Sequence, residues 1–293
     1  MVISLEQFAA LIPRVESLLE RLEAFLPVAN KEFNFDDAVA FRWRKSYGGR
    51  GYLSPVHHPH AVLLSDLLGI NEQKTTLDRN TRQFVRGLPA NNALLWGARG
   101  TGKSSLIKAL LTTYQNAGLR LVEVNKYDLV DLPDIADILE ERKERFILYC
   151  DDLSFATEEP GYKVLKAILD GSVAAPPENV LIYATSNRRH LLSEYLFENH
   201  DARVVDGEIH QGDAVEEKIS LSERFGLWLP FYPFRQEQYL EIVDHWLAKL
   251  SFNCSNSEEV HGEALRWALA HGSRSGRIAW QFARDWAGRR GIG

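Results

Sequence analysis

A third of the way along the chain, Gly97-Ala98-Arg99-Gly100-Thr101-Gly102-Lys103-Ser104 sets three glycines, a lysine and a hydroxyl at fixed spacing, with Ser105 following. Glycines allow consecutive backbone N–H groups to turn inward around an anion, and the positive end of a following helix adds to that field. A lysine in the place of Lys103 neutralises β- and γ-phosphate oxygens, and a hydroxyl in the place of Ser104 ligates Mg²⁺. The stretch fits GxxxxGK[ST] at every fixed position, which makes ATP with Mg²⁺ the expected ligands. A glycine-rich loop that binds nothing is the bland alternative. The apolar run before the loop and the helical pattern after it argue against that alternative.

About fifty residues later, Phe146-Ile-Leu-Tyr-Cys-Asp151-Asp152 is an apolar run that stops at two carboxylates. Alone such a pair is often an ordinary turn. Beside a phosphate loop it is the expected partner: Asp151 would hold a Mg²⁺-bound water, and Asp152 would polarise the attacking water. A third apolar run, Val180-Leu-Ile-Tyr-Ala-Thr-Ser-Asn187, ends in an amide. Asn187 can orient water or a γ-phosphate without competing for the metal, although a strand-terminal Asn also serves plain turns.

Parallel strands and the helices between them must position these residues. The expected strands are residues 92–96, 120–124, 146–150 and 180–185, apolar without alternation, as in a sheet covered on both faces. Helices are expected over 103–115, 132–142 and 162–169, giving an α/β sandwich with a parallel central sheet. Residues 4–26 space apolar side chains at three and four, an amphipathic helix ending near Pro27. Residues 31–60, rich in Arg, aromatics, Gly and Pro, read as an irregular linker or binding loop. Residues 199–220 read as a loop. Beyond Pro233 the pattern is wholly helical, over 236–250, 257–270 and 275–289. The expected units are therefore 1–60, an N-terminal helix with an irregular basic and aromatic segment; 61–233, an α/β nucleotide-binding core; and 234–293, a helical lid.

Composition constrains the partners. Thirty-four Lys and Arg against forty Asp and Glu leave a formal charge of -6, which argues against a chain-wide nucleic-acid coat. Two cysteines, Cys150 and Cys254, are too few for a disulfide framework. The N-terminus lacks a basic leader pattern, and no apolar run is long enough to cross a bilayer, so the expected compartment is the cytoplasm.

The order of these motifs resembles the AAA+ ATPase superfamily from about residue 60 to the C-terminus. Leu67-Leu68-Gly69-Ile70 is similar to the family's leading segment, whose apolar residues and glycine pack on adenine. Val122-Glu-Val-Asn125-Lys-Tyr-Asp-Leu129 resembles the second core strand of clamp-loader-like members. The resemblance gives Asn187 the sensor 1 place. Leu221-Ser-Glu-Arg224-Phe225-Gly226 resembles the segment that carries an arginine finger, and Gly272-Ser-Arg-Ser-Gly-Arg277 the sensor 2 segment, with Arg274 as the alternative to Arg277. The strings LPANNALLWGARGTGKSSLIKALL, RFILYCDDLSF and NVLIYATSNRRHLL look similar to a family of bacterial AAA+ ATPases with no assigned role. One departure stands out: Asp152 occupies a place where the family usually has Glu, one methylene longer. A misplacement of about 1 Å can cost roughly a hundredfold in rate, so slow turnover is an open alternative.

Two further motifs invite stronger readings. Arg42-Trp-Arg-Lys-Ser-Tyr-Gly-Gly-Arg-Gly-Tyr52 holds four basic residues and three aromatics without an acid. It could track single-stranded nucleic acid. A loop whose aromatics pack on the core and whose charges stay wet is the preferred reading, given the net negative charge. His57-His58-Pro59-His60 lacks partners at metal-ligand spacing and reads as a surface turn. The resemblance implies an ATP hydrolase acting as a homo-oligomeric ring or spiral on a protein or DNA partner, away from membranes. The alternative is an ATP-gated binding module, helicase- or clamp-loader-like, with slow or no hydrolysis.

Overall fold

The structure, a computed structural model, describes residues 35, 38–46, 48–155, 159–171, 177–188, 191, 203–205, 208–210, 221–252 and 257–291. Its strands are β1 (Ala40–Lys45), β2 (Gly51–Pro55), β3 (Ala93–Gly97), β4 (Leu119–Glu123), β5 (Arg145–Cys150), β6 (Val180–Ser186), β7 (Arg203–Val205), β8 (Glu208–His210) and β9 (Leu227–Phe231). Its α-helices are α1 (Asn71–Val85), α2 (Lys103–Tyr114), α3 (Leu132–Glu140), α4 (Pro160–Asp170), α5 (Gln236–Lys249), α6 (Ser257–Ala270) and α7 (Gly276–Gly291). Seven strands form one sheet in the order β2-β1-β4-β5-β6-β3-β9. All neighbouring pairs are parallel except β1 with β2. The fold is a P-loop αβα sandwich with a C-terminal helical part.

The central strands lack alternation because each of their faces meets a separate core. Ala93 and Leu95, Ile147 and Tyr149, and Leu181 and Tyr183 face the core that also holds Leu106, Ile107 and Leu110 of α2. Leu94, then Phe146, Leu148 and Cys150, then Ile182 and Ala184 face the opposite core with Ile135 and Leu139 of α3 and Leu165 of α4. Apolar residues are therefore favoured at successive positions through the middle of these strands. The first core continues through Ile242, Val243, Ala264, Phe282 and Trp286, which ties α5, α6 and α7 to the sheet. Cys150 is fully buried, and burial pushes its thiol up to about 12, in keeping with a packing residue.

Three expectations change. The stretch read as irregular contains β1 and β2, which extend the sheet beyond β4 through the parallel pairing Ala40↔Leu121. Phe41 and Trp43 point into the second core while Arg42 and Arg44 stay exposed, so a period of two runs beneath the Gly- and Pro-rich flanks. Trp43 Nε1 donates to Asp131 at 2.8 Å, Lys45 pairs with the same carboxylate at 2.9 Å, and Arg42 pairs with Glu123 at 2.7 Å. Within the stretch read as a loop, β7 and β8 pair antiparallel. Finally, β9 is a strand beside β3 that the sequence reading did not mark. Its Pro230 argues against a central strand but is tolerated here at the sheet edge. The expected helix over 4–26 lies outside the described residues. Among the described residues no helix is long and apolar enough to cross a membrane.

Candidate functional site

Strand β3 delivers the chain to Gly97, whose φ of +127° suits glycine alone. A side chain there would collide with the Phe231 carbonyl, and that carbonyl accepts from Ala98 N at 2.9 Å. The end of β9 thus braces the start of the loop. Thr101 Oγ1 donates to Ala98 O at 2.8 Å across the turn, and Gly102 leads directly into α2. Lys103, the first residue of that helix, is 5% exposed and donates to Gly97 O at 2.8 Å, Ala98 O at 2.7 Å and Asn187 Oδ1 at 3.1 Å. These acceptors match the three donors of an ammonium group. Burial lowers the Lys103 pKa to about 8, against the pull of Asp152 and Asp151 and with help from the nearby charges of Arg277 and Arg99.

The carboxylates at the end of β5 are gripped from both sides. Ser104 Oγ donates to Asp151 Oδ1 at 2.7 Å, and Thr185 Oγ1 on neighbouring β6 donates to the same oxygen at 2.5 Å. Burial would raise the Asp151 pKa, but these hydrogen bonds outweigh it and hold the carboxyl below its ordinary value. Thr185, 2% exposed, also accepts from Asp152 N at 2.9 Å through its hydroxyl. Asp152 has φ +52°, the left-handed region that Asp and Asn enter more readily than longer side chains. That backbone gives a local reason for Asp where Glu was the expectation from resemblance. Asn187 Nδ2 donates to Asp152 Oδ1 at 2.5 Å while its own oxygen accepts from Lys103, so one amide spans ammonium and carboxylate.

Residues Gly100, Thr101, Gly102, Ser104 and Ser105 line one end of a cleft of about 430 Å³. Its wall also includes the segment before α1, with His60, Asp66, Leu67 and Leu68, together with Phe234 and residues of α5 and α7. Gly100 lies against Ser275 and Arg277, and Gly69 lies against Phe234. Both arginines are exposed, but Arg277 lines the cleft and Arg274 does not. The expected ligand-side residues thus converge, with Lys103, Ser104, Asp151, Asp152 and Asn187 at one place and Leu68 and Arg277 along the adjoining cleft. Arg224 does not join them: it pairs with Asp170 at the C-terminal end of α4. Thr185, and Ser275, Trp246 and Trp280 of the C-terminal helical part, escaped the sequence reading. A hydroxyl at the end of an apolar strand was the available signal for Thr185, and nothing local marks the others.

The donor set fits a Mg-nucleotide. Ser104 Oγ and an ionised Asp151 are hard oxygen ligands side by side, and Mg²⁺ completes such a shell with water and phosphate. The cleft volume lies within the usual range for small ligands, roughly 300–1,000 Å³. Among the described residues no three His, Cys, Asp or Glu side chains cluster as an independent metal site.

Residues 36–290 match a family described as a protein of unknown function, DUF815. Comparison with curated proteins gives no match. Among solved structures, a variant of RuvB from Thermotoga maritima is 18% identical with a TM-score of 0.51, covering 76% of this chain and 63% of that one. The ORC1 protein from Aeropyrum pernix in complex with DNA is 18% identical with a TM-score of 0.51, covering 76% and 61%. The replication initiator DnaA bound to AMPPCP and single-stranded DNA is 14% identical with a TM-score of 0.50, covering 78% and 64%. This chain therefore spans less than two thirds of each of these proteins, and the likeness is one of fold.

Proposed function

The chain belongs to the DUF815 family and has the AAA+ P-loop fold, and from this we propose that it is an ATPase that binds Mg-ATP in the cleft and hydrolyses it to drive work on a macromolecular partner. The observation that carries this is the pair of linked contacts at the strand ends: Ser104 and Thr185 on Asp151, and Asn187 between Lys103 and Asp152. Lys103 exchanges the Gly97 and Ala98 carbonyls for phosphate oxygens. Ser104 and Asp151 would hold the metal, which would supply charge neutralisation for the phosphates. Asp152 accepts a proton from the attacking water, and Asn187 sets the orientation of that carboxylate. Arg277 meets the phosphates from the lid. Leu68 and Gly69 support the base. The solved relatives bound to DNA make DNA a first partner to try, with a protein partner as the alternative.

The test separates binding from chemistry. Lys103→Ala should remove ATP binding in isothermal titration while the protein stays folded. Asp152→Asn should keep Mg-ATP binding and lose hydrolysis. Unchanged ATP affinity in a folded Lys103→Ala protein would overturn the assignment.

One observation favours a second reading, an ATP-gated switch with slow or no hydrolysis. The Asp152 carboxylate is short, held by Asn187, and mounted on a left-handed backbone, which limits its reach toward a water. Measurable wild-type hydrolysis that disappears in Asp152→Asn would exclude that reading.

A further inference from the structure

Strand β5 sets a phenol beside the carboxylates that close it. Tyr149 is 1% exposed and faces the core that also holds Leu106 and Ile107 of α2. The period of two along the strand makes Asp151 the next residue on that face. The Tyr149 hydroxyl is buried and makes no hydrogen bond among the described residues. The groups that act on it are the Asp151 carboxylate, the Ser104 hydroxyl and Glu123, its partner in register on β4. Glu123 is already held by Arg42 at 2.7 Å. A buried hydroxyl without a partner is costly, so a state that gives it an acceptor is favoured.

Asp151 has reason to change its partners when a Mg-nucleotide arrives. Its Oδ1 accepts from Ser104 Oγ at 2.7 Å and from Thr185 Oγ1 at 2.5 Å. A carboxylate oxygen offers about two acceptor sites, so Oδ1 has none to spare. To hold a cation, directly or through a water, the carboxylate must turn or release a donor, and Ser104 must give up a lone pair of its own. The hydroxyl contacts around Asp151 therefore rearrange, next to a phenol that has no partner. Burial, and then the negative charge of Asp151, push the Tyr149 pKa up, which keeps that phenol a donor.

Building on the Mg-nucleotide reading above, we propose that Tyr149 is a positioning residue whose hydroxyl donates to the Asp151 carboxylate in the Mg-nucleotide complex and fixes it for the metal. The hydroxyl is then unpaired in the free protein and bonded in the complex. The loop and Lys103 meet the phosphates in either case, so this bond adds to affinity only when Mg²⁺ accompanies the nucleotide. Phenylalanine fills nearly the same space and cannot make it.

The experiment compares wild type and Tyr149→Phe by calorimetric titration with ATP, once in excess Mg²⁺ and once in EDTA, and by urea unfolding of the nucleotide-free proteins. In EDTA the two should bind ATP equally. In Mg²⁺ the variant should bind on the order of tenfold more weakly, the effect of one hydrogen bond to a charged group. Its urea midpoint should equal or exceed that of wild type, because the hydroxyl removed had no partner. Equal affinities of the two proteins in Mg²⁺ overturn the proposal. An equal loss in Mg²⁺ and in EDTA makes Tyr149 a support of the loop and also overturns it. A lowered midpoint, or a variant that does not fold, means that the hydroxyl is already bonded in the free protein, and the proposal falls. Wild type that binds ATP equally in Mg²⁺ and in EDTA removes the metal reading, absence of ATP binding removes the nucleotide reading, and this inference goes with either.

Discussion

Lys103 is the residue at which the site's electrostatics are most exposed to test. Its burial favours the neutral amine and brings its pKa down to about 8, yet phosphate binding requires the ammonium form. A bound polyphosphate raises that pKa again, so binding takes up a proton when the free protein has lost it. Below about 8 the free lysine is already charged and this group adds no pH dependence. Above it, ATP affinity should fall by up to about tenfold per pH unit until the bound form also deprotonates. Titrations from about pH 7.5 to about pH 9.5 should show that decline, with proton uptake visible as a heat that depends on the buffer. Lys103→Arg, if it still binds ATP, should bind with no such decline, because a guanidinium stays charged throughout. A flat profile in wild type would mean that Lys103 does not meet the phosphates.

At the scale of elements, the loop depends on a strand that lies far from it in sequence. The end of β9 presents the Phe231 carbonyl to Ala98 N, and Gly97 has no room for a side chain against that same carbonyl. Gly97→Ala combines a positive φ with this collision and should destabilise the fold by about 2–4 kcal/mol. Gly118 has a positive φ as well, but a methyl group there meets nothing within 4 Å. Gly118→Ala should therefore cost about 1–2 kcal/mol, the backbone part alone. Urea unfolding midpoints of the two variants measure the difference. Equal shifts would show that β9 does not brace the loop. The same logic explains the hairpin of β1 and β2, where a buried Trp43 anchors to Asp131 while Arg44 faces outward.

At the scale of the whole molecule, Arg224 is the residue whose proposed role needs a second copy of the chain. In one chain its guanidinium pairs with Asp170 at the end of α4 and does not line the cleft. As an arginine finger it would meet the γ-phosphate of a neighbouring subunit, a contribution on the order of 10³–10⁵ in rate. Arg224→Ala should then lower turnover far more than ATP affinity, and wild-type specific activity should rise with protein concentration. Mixing Arg224→Ala with Asp152→Asn should restore part of the activity, because interfaces that combine an intact Asp152 with an intact Arg224 reappear. A concentration-independent rate with no rescue would leave Arg224 as a surface ion pair and the protein as a monomeric switch.

What could be read without coordinates is what local chemistry dictates. The glycine, lysine and serine spacing of the loop, the carboxylates closing one apolar run and the amide closing another were all legible, because parallel strands buried on both faces must be continuously apolar and must end at the site. The helices from 236 onward were legible from their periodicity, and α6 falls on residues 257–270 as expected. The remainder arises from contacts between distant segments. Thr185 became a partner of Asp151 and Asp152 only because β6 lies beside β5. The strand character of β9 comes from pairing with β3, and that of β1 from pairing with β4, both against Pro- or Gly-rich local signals. The choice of Arg277 over Arg274 to line the cleft follows from how the start of α7 meets Gly100. Asp66 and Lys249, 183 positions apart, meet only when α5 folds over the segment that opens the core. A propensity acts over a few residues, whereas a site is assembled from chain segments that only the packed sheet and C-terminal helices bring within hydrogen-bond reach.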